Sequence, residues 1–483
     1  MNNNSKNFEK AKSLFLEGLN FFNQNNYQSA EEQFLKSLEI FPNRISTLKN
    51  LISIYILTKK KNKLKDIIKK YENLKNDNEF IFAKAYSYFF SGLYDDSIKL
   101  CKILINNQYE KNSTYDLLVL NYKKKKLFLD ILNIYKKKLK EKKDYEIYYN
   151  IGCLFDELGK TSQAIYYFKK SRFYKEYYNS NLWNLSLCYL KEGKLDLGFS
   201  LYEYRWLKKN NPPIKKFTHI KSPKFIKELK NKKILISDEQ GLGDTLQFSR
   251  FVIDLLQYTT KITFVVNTKL KNILTTLHEK IKIVDYHNLS ENNFDYHISL
   301  CSIPKILGVK SVQDINFYPL NINNQKKSIN NDEKIKVGLC WSGNKEYFFD
   351  DYRSIAFSNF KKILEIKSIN FYKLSQNIRH DEFLDYNSSS NLTDFGSKSL
   401  FEISQILNQL DLVVSSDTSI IHLAGILNIN SILLLNYNSD WRWFNDTKKT
   451  IWYPSVSIIK QNEFNSWASV FEELEIKLKN LVI

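Results

Sequence analysis

The sequence has 483 residues and is poor in the residue types that define several protein classes. Its 13 Gly and 7 Pro exclude collagen-like and Pro-rich chains. Its five cysteines are scattered and form no CxxC pair, which excludes a zinc ribbon or a disulfide scaffold and favours reduced thiols. No stretch approaches the ~18 apolar residues of a membrane span, and the N-terminal MNNNSKNFEK has no apolar signal core. These absences predict a soluble, cytoplasmic protein with no membrane span.

Basic residues are in excess, because 72 Lys and Arg stand against 52 Asp and Glu and give a formal charge of +20. Lys is spread along the whole chain and no DNA or RNA recognition motif accompanies it, so we expect a solvated basic surface and no nucleic-acid partner. The same charge would assist binding of phosphates or anionic partners. With 43% hydrophobic residues the chain can bury large cores, and its length suggests about three folded units.

A repeat of 34 residues runs through the N-terminal two-fifths of the chain. The first copy places small or apolar residues at Gly18, Ala30, Phe34 and Pro42, and the same grid returns at Gly152, Ala164 and Phe168 and at Ser186, Gly198 and Tyr202. Degenerate copies lie around 51–71, 85–104 and 117–139, which makes about six units. Over residues ~9–207 this pattern resembles the tetratricopeptide family, whose stacked helical hairpins form a solenoid with a concave surface. Such a surface holds peptides or proteins, and a spacer or oligomerisation stalk is the alternative.

The helical period stops after Leu207, where Pro212, Pro213 and Pro223 interrupt any helix. We therefore predict a solenoid over 1–207 and a basic, Pro-containing linker over 208–232. Short apolar runs then alternate with amphipathic runs, which predicts βαβ units in parallel sheets: KILIS and KITFVV, then KIKVGLCWSG, INFYKLS, DLVVSSD and SILLLN. The Asn-rich stretch 321–332 is read as a linker, so the two Rossmann-like halves are 233–325 and 326–483. The predicted fold class is α + α/β, with ligands in a cleft at the carboxyl ends of the strands.

The segment SDEQGLGDTLQFSR takes a strand through a Gly-rich turn into a helix. Gly241 and Gly243 permit close approach of a ligand, but no third Gly completes a dinucleotide fingerprint and no Lys-Ser/Thr completes a P-loop. Asp244 stands at the start of the helix, where the helix dipole favours its carboxylate form. It is a candidate to accept a proton from a bound hydroxyl, and an ordinary helix cap is the alternative.

The segment DLVVSSDTSIIHLAGIL delivers hydroxyls and free amides to a second helix start, which suits a diphosphate. Here Asp417 could accept hydrogen bonds from sugar hydroxyls, while His422 is either a ligand contact or a satisfied core histidine. In WSGNKEYFFDDYRSI, Asn344, Lys345, Arg353 and Ser354 could meet phosphate oxygens, or the loop is merely solvated.

The segment LLLNYNSDWRWF places Trp441 and Trp443 on either side of Arg442, beside Asp440. This group could stack on a base or sugar, or it could pin a loop. No Asp-x-Asp follows a strand, and the sequence contains no HExxH, His/Cys cluster or GxSxG. We therefore expect neither a required metal nor a Ser-His-Asp site.

In order along the chain, EQGLGDTLQFSRF, VGLCWSGN, RSI, DLVVSSDTSIIHLAG and DWRWF follow an array that ends in GFSLYEYRW. Together they resemble bacterial tetratricopeptide-glycosyltransferase fusion proteins, whose catalytic part is similar to the heptosyltransferase family with the GT-B fold. The resemblance implies metal-independent transfer of a sugar from a nucleotide-sugar donor to an acceptor hydroxyl, with no cofactor. Some relatives modify proteins, so the expected acceptor is a protein recruited by the array. The alternatives are a lipopolysaccharide or capsule sugar transferase, and a non-catalytic scaffold with a decayed transferase domain.

The resemblance also assigns roles by position. Asp244 matches the proposed general base, and Asp417, Thr418 and His422 match a DTxxxH motif that grips the donor. The donor side is expected to comprise Ser342, Gly343, Asn344, Arg353, Ser416, Asp417, Thr418, Ser419, His422, Asp440, Trp441 and Arg442. The acceptor side of the cleft is expected to comprise Gln240, Gly241, Gly243, Thr245 and Gln247.

Overall fold

Helices come first along the chain, and two parallel sheets follow. The structure is a computed structural model that describes residues 3–42, 44–74, 76–109, 111–209, 213–290, 293–322, 333–346, 350–375, 391–445 and 448–481. The chain divides into two compact units, Met1–Asp144 and Tyr145–Ile483. The division falls inside the predicted solenoid, between its fourth and fifth helix pairs.

The first unit consists of helix pairs. Its helices are α1 (Asn3–Asn23), α2 (Tyr27–Ile40), α3 (Ile45–Leu57), α4 (Lys61–Lys70), α5 (Asn78–Phe90), α6 (Tyr94–Asn106), α7 (Lys111–Lys124) and α8 (Phe128–Glu141). A Cβ on Gly18 would lie 2.6 Å from the ring of Phe34, which is fully buried, so this pair of helices packs only because Gly18 is small. The three weak copies of the repeat also form helix pairs, α3–α4, α5–α6 and α7–α8.

The second unit opens with two more helix pairs, α9 (Tyr145–Glu157) with α10 (Thr161–Lys170) and α11 (Tyr178–Lys191) with α12 (Leu195–Tyr202). Gly152 repeats the role of Gly18, since a Cβ there would lie 2.6 Å from the ring of Phe168. A 3-10 helix, Glu203–Trp206, ends this helical part. The helical half of the predicted fold class is therefore confirmed.

The first sheet has the strand order β3-β2-β1-β4, and all neighbouring strands are parallel. Its strands are β1 (Ile234–Ser237), β2 (Ile262–Val266), β3 (Ile281–Asp285) and β4 (Tyr296–Ser299). Its helices are α13 (Leu242–Asp254), α14 (Thr268–Leu274) and α15 (Ile303–Leu307). The predicted strands KILIS and KITFVV are β1 and β2, and both read as apolar runs because they are almost entirely buried.

The second sheet has the strand order β10-β9-β8-β5-β6-β7, again with parallel neighbours. Its strands are β5 (Ile335–Cys340), β6 (Ile369–Lys373), β7 (Leu392–Asp394), β8 (Leu412–Ser416), β9 (Ser431–Leu435) and β10 (Val456–Lys460). Its described helices are α16 (Asp350–Arg353), α17 (Lys361–Leu364), α18 (Leu400–Leu407), α19 (Ser419–Ile426) and α20 (Ala468–Asn480). The two parallel sheets confirm the α/β half of the predicted fold class.

The last helix pair shares its hydrophobic core with the sheets. Leu190, Leu195, Phe199 and Tyr202 are buried in one cluster with residues of both halves, and the ring of Tyr202 lies 6.0 Å from that of Trp441. The predicted boundary after residue 207 thus lies inside the second unit. The repeat pattern shows that α11 and α12 continue the solenoid. It does not show that the α/β part covers the apolar face of these last two helices.

The two predicted linkers differ in what the structure describes. In the first, the 3-10 helix Ile226–Leu229 buries Leu229, and the carbonyl of Lys221 accepts a hydrogen bond from the His297 backbone at 3.0 Å. This segment is therefore held against the first sheet. Most of the second predicted linker, residues 323–332, lies outside the described residues.

Candidate active site

A cleft of about 1070 Å³ lies at the carboxyl ends of the strands of both sheets. The segments that follow β1, β5, β8 and β9 line it, as expected where parallel strands end at one edge of a sheet. Fourteen of the predicted site residues line this cleft: Gln240, Gly241, Gly243, Asp244, Ser342, Gly343, Asn344, Arg353, Asp417, Thr418, Ser419, His422, Asp440 and Arg442.

Asp244 lies in the first turn of α13, and its carboxylate is held at both oxygens. Oδ2 accepts a hydrogen bond at 2.8 Å from the backbone N–H of Gly241, the N-cap residue of the helix. Oδ1 is in contact with the guanidinium of Arg442. The N-cap residue of α13 is Gly241 and not Asp244, which the sequence analysis had considered as an ordinary helix cap; Asp244 is the third helical residue, and its hydrogen bond to Gly241 holds it at the edge of the cleft.

Gly243 allows the two halves to approach each other beside Asp244. A Cβ on Gly243 would lie 2.7 Å from Cδ2 of His422, which is in the first turns of α19. A small residue is needed at position 243 because the start of α13 packs against α19. The predicted segments that carry Gly243 and His422 are therefore in contact.

Arg442 connects three acidic or polar groups in the cleft. Nη1 donates to Asp440 Oδ1 at 2.7 Å, and Nη2 donates both to Asp244 and to Gln240 Oε1 at 3.3 Å. Burial lowers the pKa of Arg442, but the carboxylates of Asp244 and Asp440 outweigh burial and raise that pKa well above its ordinary value. Arg442 is therefore a permanent cation.

Arg353 supplies a second guanidinium from the segment after β5. Its Nη1 donates to the backbone carbonyl of Asp417 at 3.0 Å, and its Nε donates to Asp350 Oδ1 at 3.1 Å. A Cβ on Gly343 would lie 2.5 Å from Arg353 Nη2, so Gly343 makes the space in which this head group lies. The Arg353 side chain is 22% exposed and lines the cleft, so it can reach an anion there.

His422 is buried and uncharged. Its Nδ1 lies 3.0 Å from the Tyr453 hydroxyl, and its ring stacks on Trp443 with centroids 5.1 Å apart. Burial lowers the pKa of His422 well below its ordinary value, and the nearby arginines lower it further. His422 is therefore a core histidine with a hydrogen-bond partner, and it also lines the cleft. Because it is uncharged, it brings no positive charge to a ligand.

Asp417 holds its proton more tightly than an ordinary aspartate. Burial raises the pKa of Asp417 to about 6, and the neighbouring Asp440 adds to the rise, while Arg353 opposes it. Its side chain is 19% exposed, and its Oδ1 lies 4.0 Å from Nε2 of His422. Near neutral pH, Asp417 therefore changes between a hydrogen-bond donor and a charged acceptor.

This raised pKa predicts a pH-dependent gain from Asp417→Asn. The folded state holds the Asp417 proton more tightly than the unfolded state, so stability is lost as the pH rises from about 4 through about 6. Asn does not ionise. The free energy of unfolding of the variant minus that of the wild type should therefore be up to about 3 kcal/mol larger above pH 6 than at pH 4. Urea unfolding at several pH values measures this, and parallel stability curves for the two proteins would contradict it.

Four predicted residues lie outside the cleft lining: Thr245, Gln247, Ser416 and Trp441. The Trp441 ring packs edge-on against Phe199 and Trp452, both at 6.2 Å, and so belongs to the core and not to a ligand contact. Thr245 Oγ1 donates to the Gly241 carbonyl at 3.2 Å within α13. Among the described residues, the buried polar side-chain atoms of Gln247 and Ser416 have no hydrogen-bond partner.

The sequence analysis missed three lining residues: Trp183 on α11, and Arg205 and Lys208 in the segment after the last repeat helix. Arg205 is buried and forms two hydrogen bonds with Glu239, at 2.5 and 2.8 Å, directly before the turn that carries Asp244. The segment EYRW was noted only as the end of the array. Its Arg and the Glu of EQGLGD are both buried and pair across 34 residues, and no local pattern in the sequence indicated this contact.

Positive charge predominates in the cleft. The lining residues include six basic side chains and three carboxylates: Arg205, Lys208, Lys269, Arg353, Lys398 and Arg442, against Asp244, Asp417 and Asp440. Such a cleft attracts anions. Within the described part of the chain, no group of three or more His, Cys, Asp or Glu is placed to hold a metal ion, and no helix is long and apolar enough to cross a membrane.

The fold and the site define a helical-repeat protein joined to two parallel-sheet α/β halves with an anion-attracting cleft. No protein-family model matches the chain, and no curated protein matches it. Solved structures similar to it include both tetratricopeptide proteins and heptosyltransferases.

Three of these structures illustrate the range. A tetratricopeptide repeat protein from Parabacteroides merdae has 15% identity and a TM-score of 0.36, over 42% of this chain and 81% of that one. The iron-containing dodecameric glycosyltransferase TibC from enterotoxigenic E. coli has 12% identity and a TM-score of 0.36, over 49% of this chain and 65% of that one. The E. coli ADP-heptose lipopolysaccharide heptosyltransferase II has 12% identity and a TM-score of 0.37, over 52% of this chain and 100% of that one. At these values the similarity does not assign an activity.

Proposed function

We propose that this protein is a glycosyltransferase that moves a sugar from a nucleotide-sugar donor to an acceptor hydroxyl. One observation carries the proposal: a carboxylate at the start of α13 and an anion-attracting set of loops from the other sheet border the same cleft. A transferase of this kind needs a base beside the acceptor and fixed positive groups beside the departing diphosphate.

In the proposed reaction, Asp244 accepts the proton of the acceptor hydroxyl as its oxygen attacks the anomeric carbon of the sugar. The bond between that carbon and the diphosphate oxygen breaks, and the nucleoside diphosphate leaves with the bonding electrons. Arg353 and the N-terminal end of α19, through its helix dipole, stabilise the negative charge that develops on the leaving group. In this proposal Asp417 forms hydrogen bonds with hydroxyls of the donor sugar.

Calorimetry with uridine, guanosine, cytidine and adenosine diphosphates and their sugars tests the donor site, and a parallel titration with EDTA tests the proposed metal independence. We expect one base to bind, and Arg353→Gln to weaken that binding about tenfold or more, because a charge-assisted hydrogen bond is lost. Lys477→Gln on the exposed face of α20 is the control and should bind normally. If the panel fails to bind at all, the rival interpretation of a non-catalytic scaffold is favoured.

The acceptor is proposed to be a polypeptide, since Trp183 of α11 brings the last helical repeat to the wall of the cleft. The Trp183 ring is half-buried and packs on Tyr202 at 4.8 Å between centroids. Labelled donor incubated with a bacterial lysate would then place label in protease-sensitive material. Label in the lipid extract would instead support the lipopolysaccharide or capsule alternative.

A further inference from the structure

Gln240 has a backbone conformation that is unusual for its residue type. Its φ is +63°, in the left-handed region that glycine adopts freely and that other residues enter at a cost of about 1 kcal/mol or more. It stands directly before Gly241, in the turn that leads to Asp244. Other non-glycine residues of the described chain share this conformation, so the role of Gln240 is judged from the contacts of its amide group.

Both ends of the Gln240 amide are engaged, and they face different parts of the molecule. Nε2 donates to the hydroxyl of Tyr202, the last residue of α12, at 2.9 Å. Oε1 accepts from Nη2 of Arg442 at 3.3 Å, and the same Nη2 contacts Asp244. The amide therefore joins the last helical repeat to the guanidinium that holds the proposed base.

The position of Arg442 matters because it is the cation in contact with Asp244. Among the described residues, the other titratable or charged side chains near Asp244 include Tyr202, Arg205, Glu239, Cys301, Asp417, His422, Asp440 and Tyr453. Burial keeps Tyr202, Cys301, His422 and Tyr453 uncharged near neutral pH. Arg205 is paired with Glu239, whereas Arg442 contacts Asp244 directly, beside two more carboxylates, Asp417 and Asp440.

We infer that Gln240 is a positioning residue that holds Arg442 against Asp244, and that through Tyr202 it makes the state of the base depend on the last helical repeat. This inference rests on the proposed function. A proton competes with Arg442 for Asp244, so a loosely held guanidinium lets the base be lost at a higher pH. The chain of contacts Tyr202–Gln240–Arg442–Asp244, called the arm below, then links the last helical repeat to the reaction.

Gln240→Gly tests this directly, because glycine keeps the left-handed backbone and removes only the amide. The chain offers a matched control in Gln108→Gly, since Gln108 also has a left-handed backbone (φ +56°) and lies exposed after α6. Neither variant should lose thermal stability. We expect Gln240→Gly alone to lower kcat about tenfold with little change in the donor KM, and to move the acid side of its pH–rate profile to higher pH.

Tyr202→Phe removes the hydroxyl that accepts from Gln240 and should lower kcat in the same direction. The double variant Gln240→Gly with Tyr202→Phe should be no slower than Gln240→Gly, because the two changes break one arm. Additive losses would show that Tyr202 does not act through Gln240. Equal kcat and pH profiles in Gln240→Gly and Gln108→Gly would overturn the inference.

A readout that does not need turnover separates this inference from the proposed function. In protein labelled with ¹³C at its aspartate carboxylates, the signal that Asp244→Asn removes should titrate at higher pH in Gln240→Gly than in wild type. An unchanged titration contradicts the arm even when the wild type transfers sugar. A shifted titration in a protein that transfers no sugar supports the arm and contradicts the glycosyltransferase.

Discussion

A fragment that begins at residue 208 should fail to fold, whereas residues 145–483 should fold as a cooperative unit. Removing α11 and α12 takes Leu190, Leu195, Phe199 and Tyr202 out of the core that they share with both sheets. Each large buried side chain lost costs about 2–5 kcal/mol, and a whole domain is stable by only about 5–15 kcal/mol. Circular dichroism melts of the two fragments beside the full chain measure the difference.

The shorter fragment also loses Arg205, which leaves Glu239 as a buried carboxylate without its partner. Removing the first unit, Met1–Asp144, is the matched deletion, since that unit has its own internal packing. A fragment 208–483 that melts cooperatively at the temperature of the full chain would refute the shared core.

Asp244→Asn should lower sugar transfer by about 10²–10⁴-fold, the usual loss when a general base is removed. Asn retains an oxygen that can cap α13, so the fold should persist and the donor affinity should stay within about threefold. Steady-state kinetics with calorimetric donor binding measure the two effects separately.

The chain provides a control with the same local role. Asp314 also accepts a hydrogen bond from the backbone N–H of an N-cap residue, Ser311, at 2.9 Å, but it is exposed and lies outside the cleft lining. Asp314→Asn should leave transfer unchanged. Normal turnover in Asp244→Asn would remove this residue from the mechanism.

The strands that the sequence predicted are those with a long apolar run, such as DLVVSSD, which is buried throughout. The strands β3 and β4 contain Lys282 and His297 and gave no such run. Their pairing is set by contacts with β2 and β1, which periodicity along the chain does not encode.

The motifs of the site were also visible in the sequence, but their partners were not. Arg442 and Asp244 are 198 residues apart, and no local pattern indicates that they meet. Trp441 and Arg442 are neighbours, yet a single 3-10 turn sends one into the core and the other into the cleft. Sequence spacing identified which segments carry the chemistry, whereas the direction of each side chain depended on the packed structure.

The shared core has a consequence for synthesis of the protein on the ribosome. The apolar face of α11 and α12 is made about 240 residues before Trp441, the residue against which Phe199 and Tyr202 finally pack. At about 5–20 residues per second, that face waits roughly 10–50 seconds for its partner. During this time the nascent chain presents an apolar surface, so its yield in the cell should depend on the chaperones that bind such surfaces.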